Sequence, residues 1–126
     1  MPKQIFSDYI AQWLEIPFKW GTADCICFSI GWASQIAEKN LLIPFGFWEN
    51  KQEAFLTIKK HGGLTRIFNR FLKRIDPNFA IDGDIAVINN TSYLFVGRFI
   101  VGPGDNGLVF KDRTEAKKAW RVIKEK

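Results

Sequence analysis

The spacing of apolar and polar positions divides the chain into a helical first half and a strand-rich second half. Ile5, Phe6, Tyr9, Ile10, Trp13 and Leu14 recur at helical intervals with Asp8, Gln12 and Glu15 between them. This predicts an amphipathic helix that ends before Pro17. A second helix is expected over about Cys25 to Glu38. Its residues are nearly all apolar or small, which marks a central element covered on most sides. Leu42 to Trp48 is an irregular aromatic stretch broken by Pro44 and Gly46. Asn50 and Glu53 have the spacing of a capping box for a helix over Lys51 to Lys60, which Gly62-Gly63 ends. Ile67, Phe68, Phe71 and Leu72 predict one more short basic helix, closed by Asp76-Pro77.

From Asp82 the period shifts toward two. Asp82-Gly83-Asp84 is turn chemistry, and Ile85 to Ile88 reads as a strand. Asn89 to Ser92 is a hairpin-type connection, followed by a strand over Tyr93 to Val101 with Gly97 inside it. Pro103 to Gly107 turns into a third strand, Leu108 to Phe110. Thr114 is placed to cap a helical turn, and a last strand is expected over Ala119 to Ile123. Helices first and a small antiparallel sheet afterwards make an α+β chain, read as a single domain over residues 1–126.

Composition sharpens this picture in three ways. With 47% hydrophobic and 15% aromatic residues in 126, the chain has the means for a dense aromatic core without disulfide staples. Cys25 and Cys27 point to different sides of a helix and are not expected to pair. Two Cys and one His fall short of a four-ligand zinc site, so neither metal nor cofactor is expected. Eighteen Lys and Arg against thirteen Asp and Glu give a formal charge of +5, gathered around Lys59 to Arg74 and in the C-terminal tail. That excess is a solvated face or an attraction to a polyanion: nucleic acid, an anionic cell wall or an acidic partner surface. No motif for nucleic acid accompanies it. The N-terminal segment lacks an uninterrupted apolar run, and no stretch is long enough to span a membrane. The expectation is a protein made in the cytoplasm without a signal peptide, reaching the outside by lysis or within a particle.

The candidate chemistry centres on Trp20-Gly21-Thr22-Ala23-Asp24-Cys25. Asp24 is a strong helix N-cap, which puts Cys25 in the first helical turn, where free backbone N–H groups and the helix dipole favour a thiolate. His61, the one imidazole, is the candidate base, although its place before the Gly pair also suits capping helix carbonyls. Asp24 would raise the pKa of a neighbouring thiol and fits better as a cap. Asp84 fits a turn and strand start, and Asp105 a solvent-facing turn or one that approaches the groove. Cys27 reads as a packed thiol, Trp120 as a core anchor, and Trp20, Phe45, Phe47 and Trp48 as core or groove aromatics.

Taken together, the aromatic-Gly turn, Asp24-Cys25-x-x-Phe28, Gly83-Asp84-Ile85-Ala86-Val87 and Phe95-Val96-Gly97 resemble the NlpC-like papain-fold cell-wall peptidases. Pro17-Phe18-x-Trp20-Gly21, Gly62-Gly63 and Ala119-Trp120-Arg121-Val122 are similar to a small phage and prophage tail-associated branch of that superfamily. The resemblance implies a papain-like fold with N-terminal helices packed on the sheet. It puts Cys25 at the nucleophile position, with Trp20, Asp24 and Phe95 along the groove. The catalytic histidine position falls at Phe95 or its neighbour Leu94, and neither can accept a proton. Two functions follow from the resemblance. One is a non-catalytic structural or assembly component of a phage tail tip, located in the virion and bound to other tail proteins. The other is a cysteine hydrolase that cleaves peptidoglycan stem peptides through Cys25.

Overall fold

The computed structural model describes residues 2–123, with side chains from Ile5 onward. Four helices precede the sheet: α1 (Pro2–Trp13), α2 (Cys25–Ala37), α3 (Lys51–Lys60) and α4 (Leu64–Phe71). Six strands follow: β1 (Lys73–Ile75), β2 (Ile85–Ile88), β3 (Thr91–Val96), β4 (Phe99–Gly104), β5 (Gly107–Asp112) and β6 (Lys118–Arg121). They form one antiparallel sheet in the order β1-β6-β2-β3-β4-β5. The chain is α+β, with its helices gathered first as the periodicity requires.

The aromatic first half packs on α2. Tyr9 donates its hydroxyl to the Phe28 carbonyl at 2.6 Å, and the rings of Phe6 and Tyr9 lie against Trp32. Trp13 meets Phe28 edge-on at 5.0 Å. Phe28 and Trp32 have no exposed surface, so α2 is the buried helix its lack of charge predicts. Strand alternation sorts the sheet into two faces. Ile85, Val87, Leu94, Val101 and Trp120 join the main core beneath the helices. Ala86, Phe95, Ile100 and Ala119 form a smaller cluster on the opposite face. Arg113 covers that second cluster. Its guanidinium lies 5.0 Å from the Phe95 ring and donates to the carbonyls of Pro77, Ala80 and Gly97.

Five sequence expectations need correction. Tyr93 to Val101 is two strands: Gly97, at φ +58, and Arg98 make the reversal between β3 and β4, a backbone state that suits glycine. The helix expected to close at Asp76-Pro77 ends at Phe71, and Lys73–Ile75 is a strand paired with β6. The third strand extends to Gly107–Asp112, and the last begins at Lys118 and ends at Arg121. The turn after β5 is capped by Asp112, which accepts from the Thr114 N–H at 2.9 Å, and not by Thr114.

A buried carboxyl locks β6 between β1 and β2. Asp84, with no exposed surface, accepts from the Ile81 N–H (2.9 Å), the Val122 N–H (3.0 Å) and the Arg121 Nε (2.9 Å). Burial pushes this carboxyl up, and the backbone N–H groups and Arg121 beside it pull the other way. All of its partners are donors, so an amide cannot replace it without turning an N–H₂ toward an N–H. Asp84→Asn should therefore cost about 2–4 kcal/mol despite its shape, below the cost of breaking a fully buried pair because Arg121 is part-exposed. Urea unfolding at neutral pH measures this, and a loss under about 0.5 kcal/mol would show that the clasp is incidental.

Candidate functional site

The site is built on the turn that leads into α2. Gly21 has φ +89, and a Cβ there would collide with the Trp48 carbonyl oxygen, so only glycine lets the 21–24 turn nest against the aromatic loop. The turn closes with the Ala23 N–H donating to the Lys19 carbonyl at 2.8 Å. Asp24 follows in extended conformation and caps α2 through the Cys27 N–H at 2.9 Å. Its other carboxyl oxygen accepts from the Gly21 N–H (2.9 Å) and from the Trp48 indole Nε1 (2.6 Å). Asp24 has no exposed surface.

Cys25 is part-buried in the first turn of α2, against β3. The β3 residue it meets is Ser92, which is fully buried and donates its hydroxyl to the Cys25 carbonyl at 3.0 Å. Burial pushes the Cys25 thiol up. Contacts with the Ser92 backbone N–H and side chain oppose the shift, and the negative charge of Asp24 adds to it. The net direction is upward, away from an activated thiolate. Cys27 lies on the other side of the helix with its Sγ 3.5 Å from the Gly21 carbonyl. Burial and Asp24 push its thiol up to about 12. It lines a small cavity of about 280 Å³ with Gly21, Leu42, Ile43, Phe47 and Trp48.

The remaining candidates lie in separate places. His61 is the C-cap of α3. Its Nδ1 is 2.9 Å from the Thr57 carbonyl, and its ring meets Phe45 edge-on at 4.7 Å. These are the capping contacts its position before Gly62-Gly63 suggests. Phe95 is buried on the sheet face away from α2, under Arg113, whereas Leu94 lies on the helix-facing side. Trp20 is half-buried between Phe18 (4.7 Å) and Phe55 (6.2 Å) on α3. Thus Asp24 stands beside Cys25, Trp20 flanks the preceding turn, and Phe95 belongs to a different face. Asp105 is exposed in the β4–β5 turn. Among the described residues no group of three or more His, Cys, Asp and Glu converges as metal ligands would. No helix of the described residues is long and apolar enough to cross a membrane.

A family model described as a domain of unknown function, DUF6950, matches residues 2–122. The chain belongs to the DUF6950 family. No curated protein and no solved structure matches it. The DUF6950 description names no chemistry, so what the site can do rests on its geometry.

Sequence reasoning missed Ser92 and the bond from Trp48 to Asp24. A signal for Ser92 existed: on β3 it shares a face with Leu94 and Val96, so a serine stands where the pattern calls for an apolar residue aimed at α2. Nothing local marks Trp48 as the partner of a residue 24 positions away.

Two outcomes follow. Asp24→Asn should cost about 2–3 kcal/mol in urea unfolding, because an amide cannot accept from Gly21, Cys27 and Trp48 together; an effect within about 0.5 kcal/mol contradicts the three-donor arrangement. The second concerns alkaline pH. The folded pKa values of Tyr9, Cys25 and Cys27 are all raised. Their neutral forms therefore contribute stability that is complete below the ordinary thiol pKa of about 8.5 and is lost as pH rises toward the folded values. The urea midpoint should stay level from neutrality to about pH 8 and fall above about pH 9, less steeply in Cys27→Ser.

Proposed function

We propose that this protein is a non-catalytic, NlpC-like domain serving as a structural or assembly component of a phage tail tip. The tail association rests on the resemblance of its motifs. The helix-first α+β order, with a cysteine at the start of the central helix and the sheet against it, is compatible with a papain-like fold. The observation that carries the non-catalytic half is the pairing of Cys25 with Ser92.

Thiol-based hydrolysis needs a thiolate, a base beside it and donors for the oxyanion. Here the β3 side chain against Cys25 is a hydroxyl, which donates to the Cys25 carbonyl. A hydroxyl does not take a proton from a thiol at neutral pH. The Cys27 N–H, one of the free donors at the helix start, is occupied by Asp24. The imidazole of His61 is engaged at the far end of α3 with Thr57 and Phe45. The thiol itself is shifted toward its neutral form. These features support a thiol of low reactivity, and among the described residues the imidazole of His61 is engaged elsewhere.

The test is the pH profile of alkylation at Cys25, with Cys27 as internal control, read by mass spectrometry. Both thiols should stay sluggish past about pH 8.5, where an ordinary thiol already reacts, with no change in His61→Ala. Rapid alkylation of Cys25 at acidic or neutral pH, altered in His61→Ala, would overturn the reading in favour of a hydrolase acting on peptidoglycan stem peptides.

A further inference from the structure

The exposed face of α3 joins apolar surface to a rim of one charge. Phe55 and Leu56 are 43% and 59% exposed, adjacent in sequence on a helix whose inner side, Ala54 and Ile58, is buried. Two depressions share Phe55 and Lys59 as lining. One, of about 440 Å³, runs along the helix past Lys51 and Leu56. The other, of about 500 Å³, continues past the helix end to Gly62-Gly63 and to Asn90 in the β2–β3 turn. Phe55 stands between them as a ridge, held by the Trp20 ring on one side and by the Lys51 ammonium 5.5 Å from its centroid.

The lining of both depressions contains lysines and no acidic residue. Glu53, the acid of this helix, is turned back to accept from the Glu49 N–H at 2.8 Å. The groove is thus apolar on its floor and cationic on its rim, in a chain of net charge +5. Exposed ring surface beside ammonium groups suits a ligand with apolar anchors flanked by carboxylates. We propose that this groove docks an acidic amphipathic segment of a partner protein, its apolar side chains seated on either side of Phe55 and its carboxylates meeting Lys51 and Lys59. A helical segment places such anchors one turn apart, about 6 Å, and puts acidic residues beside them. A bare polyanion would satisfy the lysines and leave Phe55 and Leu56 wet. This docking does not depend on the state of Cys25, so it stands or falls separately from the absence of catalysis.

The experiment is selection of a random displayed peptide library on the full chain, followed by binding of the enriched peptides to Leu56→Ser and to Lys51→Glu/Lys59→Glu. All three positions are exposed, so the variants retain the core. Enriched peptides should combine Asp or Glu with apolar residues at intervals of three or four. Their affinity should fall about tenfold or more in each variant and weaken with added salt in the parent chain. Amide shifts on titration should concentrate between residues 51 and 63 and at Asn90. The proposal is overturned if the library yields no binder or the enriched peptides lack acidic residues. It is equally overturned if they bind the variants as well as the parent, or if polyglutamate or single-stranded DNA competes at equal strength.

Discussion

One buried carboxyl organises the helical half. A carboxylate removed from water is tolerated only when donors replace the water it loses, and Asp24 obtains them from three separate segments: the Gly21 turn, the α2 backbone and the Trp48 indole. The arrangement fixes where the central helix begins and how the chain enters it. It also holds the aromatic loop that would otherwise be free to drift. Phe45 and Trp48 can join the core because Trp48 has a polar anchor at its inner edge. Phe47 and Ile43, on the same loop but without such an anchor, stay largely exposed.

The strand half repeats the solution with Asp84. Its donors come from the Ile81 turn, from Val122 beyond β6 and from Arg121 on β6, so that the last strand is fixed beside β2 and, through it, β1 finds a partner. Trp120 then completes the core from the middle of the sheet, its indole donating to Asn69 at 2.8 Å and its ring against Phe68. Two acids therefore join pieces of chain that are distant in sequence, where apolar packing alone would leave the register loose.

What the sequence made legible was local. Helix spacing, the Asn50–Glu53 capping box and the Gly62-Gly63 stop each depend on residues within a few positions, and α2 and α3 lie where those signals put them, while α4 starts and stops earlier than its spacing suggests. The split at Gly97 was also local, but a glycine within an apolar run reads as strand or as reversal, and only the pairing of Val96 with Phe99 decides. The insertion of β6 between β1 and β2 is set by Asp84 across 37 residues, and no window along the chain contains that fact. At the site, Asp24 as a cap and His61 as a carbonyl partner follow from their neighbours. Phe95 was misplaced because the side of the sheet a residue faces depends on register, and the helix-facing residues of β3 are Ser92 and Leu94.

Packing sets narrow terms for the residue at position 25. Position 25 must be small enough to pass beneath β3, must leave its carbonyl open to the Ser92 hydroxyl, and must tolerate the negative charge of Asp24 next to it. A neutral thiol meets all three requirements, since cysteine behaves as a small apolar residue when its proton stays on. The same cap that makes the fold works against an anion at the sulfur, because the helix dipole that would favour a thiolate is already opposed by a buried carboxylate. An imidazole at position 92 would need volume that a fully buried serine does not leave. Bringing an imidazole to Cys25 from position 92 would therefore require the α2–β3 contact itself to open, and that contact is part of the core on which the chain depends.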